Sequence, residues 1–218
     1  MDSDARALSA FRTSWEYAEA YVAEDEVLAD ARSRAQEVGC VPIHPGGGAA
    51  LRLLAATVDA RAVVEIGTGT GVSGLWLLRG MRADGVLTSV DIEAEHQRHA
   101  REVFAAEGVP ASRARLITGR ALEVLPRLAD AAYDLVLVDG AKDEYAEYVE
   151  QAARLLRVGG LLAIDNSLWH DKVADPAQRD PDTIAIRGAL IALQDDERFV
   201  VALLPVGDGL LTAVRRGD

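Results

Sequence analysis

Apolar residues recur along this chain at two different spacings, and the change from one to the other organises it. Leu8, Phe11, Trp15, Ala18 and Val22 follow each other at helical intervals, as do Val27, Ala31, Ala35 and Val38. The first forty residues are therefore predicted to form two amphipathic helices. The stretch "HPGGGAALRLLAATV" reads as a glycine-rich turn entering a third helix. Beyond it, the short apolar runs "AVVEIG", "GVLTSVD", "ARLITG", "YDLVLVDG" and "GGLLAIDN" alternate with helical stretches near 72–81, 94–107, 121–129 and 144–156. Strands buried on both faces and alternating with helices specify a parallel α/β sheet. The last run, "FVVALLPVGDGLLTAVRR", is two strands around a Gly-Asp-Gly turn. That is a hairpin signal, so the sheet is expected to carry an antiparallel edge. No internal repeat, low-complexity tract or linker interrupts the pattern, which is expected to make one domain of 1–218.

Composition narrows the function. With 218 residues, half of them hydrophobic, the chain can bury one sizeable core. A formal net charge of −12 and no basic stripe argue against nucleic acid as a partner. No run approaches the 18 or so apolar residues of a membrane span, and the charged N-terminus has no apolar signal region. Cys40 is the only cysteine. It cannot pair internally, which fits a reducing, cytoplasmic setting, and it reads as a small buried residue.

The stretch "VVEIGTGTGVSG" sets Gly67, Gly69 and Gly71 directly after the first predicted strand. Glycines there let the backbone turn sharply beside a ligand, and the following helix offers free N–H groups. Asp91, at the end of "LTSVD", is placed to accept hydrogen bonds from a ribose, or else to cap the helix after it. Gly69, Gly71 and Gly74 also match G-x-G-x-x-G, so NAD remains open beside S-adenosylmethionine (SAM). Read from Glu65 the pattern is Glu-x-Gly-x-Gly-x-Gly, which resembles motif I of SAM-dependent methyltransferases.

Two further strands end on oxygen ligands. The fourth stops at Asp139 and the fifth at Asp165-Asn166, the only asparagine in the chain. Ligands of open parallel sheets bind beyond these carboxyl ends. Two carboxylates and an amide oxygen form a hard donor set suited to Mg²⁺, Mn²⁺ or Ca²⁺, and no zinc-like spacing of Cys or His is present. Three residues after Asp139 comes Lys142, one of two lysines among 23 basic residues. Arginine essentially never releases a proton, so a position that keeps Lys in so Arg-rich a chain invites a role in proton transfer. Lys172 reads as a solvated charge, and His44, His96 and His99 suggest only exposure or capping.

Together, "EIGTGTGVS", "DLVLVDGAKDEY", "LLAIDNSLWHDKV" and "LLPVGDGLLTAVRR" resemble the metal-dependent O-methyltransferases that include the caffeoyl-CoA and catechol enzymes. The resemblance runs from about Pro45 to Arg216. It implies a Rossmann-like methyltransferase fold with a mostly parallel seven-stranded sheet, an antiparallel C-terminal hairpin strand, helices on both faces and an N-terminal helical extension. It places Ile43, Glu65, Gly67, Thr68, Ser73, Asp91, Ala121 and Asp139 on the SAM side, with Arg120 and Leu122 departing from the family beside the adenine contact. It makes Asp139, Asp165 and Asn166 ligands of a divalent cation, Mg²⁺ first, and Lys142 the catalytic base. Trp169 and His170 are expected at the mouth of a site for a phenolic substrate with adjacent hydroxyls. Residues 1–40 are expected to contribute to that pocket and to a homodimer. The alternatives are an NAD-dependent oxidoreductase, which leaves the paired strand ends unexplained, and a SAM-binding module without turnover.

Overall fold

The five apolar runs and the C-terminal hairpin form the seven strands of one sheet in the computed structural model, which describes residues 3–217. Met1, Asp2, Asp218 and the Leu8 side chain of the first helical pattern lie outside the described residues and side chains. In chain order the strands are β1 (Ala62–Ile66), β2 (Val86–Asp91), β3 (Ala114–Thr118), β4 (Tyr133–Val138), β5 (Leu156–Ile164), β6 (Phe199–Leu204) and β7 (Leu210–Arg215). They lie in the order β3-β2-β1-β4-β5-β7-β6. The first five pair in parallel, and β7 runs antiparallel to both β5 and β6. Register aligns Ile66 with Val90 on one side and Val138 on the other, so the strand ends finish level. The chain reverses its direction of travel between β1 and β4, which opens a crevice there.

Helices cover both faces. They are α1 (Ser3–Ala20), α2 (Glu26–Glu37), α3 (Pro45–Thr57), α4 (Val72–Gly80), α5 (Ala94–Ala106), α6 (Ala121–Val124), α7 (Tyr145–Leu155) and α8 (Pro181–Gln194). Strand residues alternate between the two sides. Val63, Leu87, Leu135 and Leu161 pack with Leu28, Leu51, Leu75 and Phe104 of α2–α5. Their neighbours Val64, Val136 and Leu162 pack with Tyr148, Ile186 and Leu193 of α7 and α8. No helix among the described residues is long and apolar enough to cross a membrane.

Three features differ from the sequence pattern. The glycines of "HPGGG" are helical, because Pro45 presets the first turn of α3 and Gly48 N already donates to His44 O at 2.9 Å. The stretch 121–129 is a single turn followed by a 3₁₀ turn over Leu125–Arg127, since Pro126 cannot continue the helical ladder. Helix α8 was not marked by apolar spacing. Its signal is local: Asp180 accepts from Thr183 N at 3.2 Å, with Pro181 in the first turn. The expected antiparallel edge is present as the β6–β7 hairpin. β7 buries Leu210, Leu211 and Ala213 against β5, and β6, with Val200 and Leu203 about half exposed, closes the sheet.

Candidate active site

The β1–α4 loop stands over the crevice on a buried polar base. Gly67 has φ +93°, and a Cβ there would lie 2.1 Å from the Asp139 carbonyl oxygen, so the two strand ends meet only through glycine. Glu65 is fully buried beneath the loop. Ser73 Oγ donates to one of its oxygens at 2.7 Å and Ser89 Oγ to the other at 2.5 Å. Burial pushes the Glu65 carboxyl up to about 7 despite these two donors. Thr68 turns its hydroxyl inward to Ser89 Oγ at 2.7 Å, and Gln97 Nε2 donates to Thr68 Oγ1 at 3.1 Å. Glu65 therefore supports the loop from below, while the cavity wall is made by the residues above it.

That cavity, of about 280 Å³, is lined by the loop from Gly67 to Thr70 and by Ser73, Ile43, Asp91, Ala121 and Asp139. Asp91 already accepts from Gly69 N at 2.9 Å and from Glu93 N at 2.8 Å, so it fixes the loop and caps α5 as well as facing the cavity. Ile43 directs its carbonyl oxygen to Arg32 Nη2 at 2.5 Å. Arg120 reaches across to Glu144 at 2.5 Å, leaving Ala121 as the small wall residue beside it. Cys40 and His96 also line the wall, and His96 Nδ1 lies 3.3 Å from Asp91. Neither carried a signal in the sequence, since their part depends on how α2 and α5 pack against the loop.

Asp139 joins this cavity to a second cluster. Asp139 N donates to Ile66 O at 2.8 Å and Asp165 N to Val138 O at 3.0 Å, so β-type bonding sets the two aspartates side by side. Lys142 Nζ sits among them, 2.6 Å from Asn166 Oδ1, 2.6 Å from Tyr145 OH and 3.2 Å from Asp139 Oδ1. Burial raises the Asp139 carboxyl, with Lys142 opposing the shift. Burial, then the charge of Asp139, pushes Asp165 up to about 8. Two adjoining buried carboxylates need more positive charge than one ammonium to ionise together. Among the described residues no three His, Cys, Asp or Glu side chains form a metal site. Here the two carboxylates are completed by the Asn166 amide oxygen, a donor set that fits a hard divalent cation.

Tyr145 is the residue that sequence reading missed. It is fully buried, holds Lys142 through its hydroxyl and donates to Asp165 O at 3.1 Å. Its position three residues after Lys142, one helical turn on, was the available clue.

The segment after Asn166 takes an unusual path. Asn166, Trp169, His170 and Asp171 have φ of +56°, +48°, +55° and +65°. Asn and Asp tolerate this region, whereas a bulky residue such as Trp169 held there costs about 1–2 kcal/mol. The turn brings the Trp169 ring to 5.4 Å from Lys142 Nζ and stacks it on His170 with centroids 5.2 Å apart. Trp169 is half-buried with its indole N–H unpartnered, whereas the His170 side chain is 65% exposed. Lys172 lies outside, 3.9 Å from Asp180.

A family model described as O-methyltransferase matches residues 18–216. A relative from Mycobacterium tuberculosis, named a "probable O-methyltransferase", is 51% identical over 201 residues, covering 92% of this chain and 90% of its own. A solved protein from Corynebacterium glutamicum superposes with a TM-score of 0.88 at 33% identity, covering 96% of this chain and 98% of that one. The O-methyltransferase TomG of Streptomyces achromogenes, involved in tomaymycin synthesis and solved in complex with SAM, gives 0.83 at 29% identity over the whole of both chains.

Proposed function

This chain belongs to the O-methyltransferase family, and on that premise we propose that it moves the SAM methyl group to one of two adjacent hydroxyls on a phenolic small molecule, with a divalent cation as cofactor. The observation that carries this reading is Lys142 Nζ held beside Asp139, Asn166 and buried Asp165, with Asp139 shared by the cavity that the glycine loop lines. The cavity supports SAM as donor. The glycine loop and the first residues of α4, Val72 and Ser73, line it, Asp91 offers a carboxylate to ribose hydroxyls, and Ile43 and Ala121 supply apolar walls. The glycine loop and Asp91 would serve NAD equally, and it is membership of the O-methyltransferase family that favours SAM.

Asp139, Asp165 and Asn166 would hold the cation. Bound there, Mg²⁺, or alternatively Mn²⁺ or Ca²⁺, supplies a Lewis acid that favours ionisation of an adjacent hydroxyl. Lys142 takes the hydroxyl proton at Nζ, where Tyr145 and Asn166 fix its direction. As the oxygen–methyl bond forms, the sulfonium–methyl bond breaks and its electron pair returns to sulfur. The products are the methyl ether, S-adenosylhomocysteine and a protonated Lys142. The gain comes chiefly from alignment of oxygen, methyl and sulfur at roughly 3 Å. Helix α1 and the bend after it expose Phe11, Tyr17 and Tyr21, and we take this surface as part of a homodimer contact.

The test is turnover of catechol with SAM after chelation. Activity is expected to vanish with chelator and return with Mg²⁺. Asp165→Ala and Asn166→Ala are each expected to abolish or severely reduce it while S-adenosylhomocysteine still binds by calorimetry. Undiminished turnover in chelator would remove the cation from the mechanism.

A further inference from the structure

The tip of the β6–β7 hairpin, residues 205–209, is gripped from two sides. On one side it shapes the segment after Asn166. Ser167 N donates to Gly209 O at 2.9 Å, Leu168 N to Asp208 O at 2.8 Å, and His170 N to Asp208 Oδ1 at 2.6 Å. On the other side Gly207 N donates to Glu19 Oε1 at 2.6 Å, and Glu19 Oε2 accepts from Gly46 N at 2.9 Å. Glu19 is 8% exposed. Two backbone N–H groups meet its charge, one of them in the first turn of α3, where the helix dipole favours an anion. The contact needs glycine, because a Cβ on Gly46 would fall 2.4 Å from Glu19 Oε1. One carboxylate on α1 thus ties three segments distant in sequence.

Asp208 is nearly buried. One oxygen is committed to His170 N, and the other has no hydrogen bond and lies 3.6 Å from His170 Nδ1. The backbone it holds is the left-handed run at Trp169, His170 and Asp171, which a bulky residue such as Trp169 does not adopt unaided. What that run presents is the Trp169 ring beside Lys142 Nζ. We infer that Asp208 is a positioning residue for methyl transfer, anchored through Gly207 by Glu19, and that it sets Trp169 and His170 on the acceptor side of Lys142. This rests on the reading that the phenolic acceptor binds beside Lys142.

The experiment compares Asp208→Ala and Asp208→Asn in the full chain. It uses three readouts: kinetics with catechol, Mg²⁺ and SAM; S-adenosylhomocysteine affinity; and the Trp169 indole ¹⁵N resonance, assigned with Trp169→Phe. Alanine is expected to raise the catechol KM about tenfold, the scale of one lost hydrogen bond to a charged group. It should shift the indole resonance and leave S-adenosylhomocysteine affinity unchanged. Asparagine keeps an oxygen for His170 N and is expected to recover most of the KM. An unchanged KM in the alanine variant, no recovery with asparagine, or a matching loss of S-adenosylhomocysteine affinity overturns the assignment. If Asp208→Ala does not fold, Glu19→Gln takes its place and must move the same resonance. If the wild-type chain does not methylate catechol, the acceptor reading fails, and the indole resonance alone decides: moved supports positioning, unmoved overturns it.

Discussion

Lys142 stands where an arginine would serve equally well if positive charge were all that the site required. Three oxygens converge on its Nζ, and its side chain is 12% exposed. Lys142→Arg keeps the charge and removes the group able to accept a proton. Turnover of catechol is expected to fall by about 10²–10⁴-fold, the usual worth of a general base. The fall should be smaller for a nitrocatechol, whose hydroxyl ionises more readily. Near-wild-type turnover of both would show that Lys142 supplies charge alone. The candidate role was legible in the sequence because lysine is so rare in this chain. Tyr145 was not, because a tyrosine in a helical pattern reads as core, and its hydroxyl acquires a partner only when α7 docks under β5.

The glycine loop shows how an element depends on residues that never touch its ligand. Glu65 sits at the end of β1, level with Ser89 on β2, and that register hands its carboxylate to Ser89 and Ser73. Its carboxyl is raised from 4.5 to about 7 by burial. A folded value above the unfolded one means that its contribution to stability is full below about 4.5 and is lost as pH rises through about 7. Glu65→Gln removes this titration. The melting temperature of the variant relative to wild type is therefore expected to climb between pH 5 and pH 8. A constant difference across that window would mean that Glu65 does not titrate there. The motif made Glu65 a cofactor-side residue, whereas the register puts it one layer below, and strand pairing is not written in a linear motif.

At the scale of the whole molecule, an acidic surface with net charge −12 is interrupted on α1 and the bend after it by Phe11, Tyr17 and Tyr21, 67%, 70% and 74% exposed. Aromatic side chains so placed fit a subunit contact, and the acidic remainder would keep such an assembly soluble. Light scattering at micromolar concentration is expected to give the mass of a dimer. Tyr17→Glu together with Tyr21→Glu should return it towards the 23.3 kDa of one chain. A monomer mass for the wild-type chain would contradict the proposal.

The sequence by itself determined the alternation of strands and helices, the glycine loop and the carboxylates at three strand ends. These are set by spacing and local chemistry: which residues can turn, which must be buried, and which oxygens end a strand. Only the tertiary structure decided that β7 inserts between β5 and β6, that Glu65 lies under the loop, and that Glu19 on the first helix meets Gly46 and Gly207. Each of these depends on partners far apart in the chain, chosen by register, by the face an element buries and by close backbone approach. No local spacing encodes those.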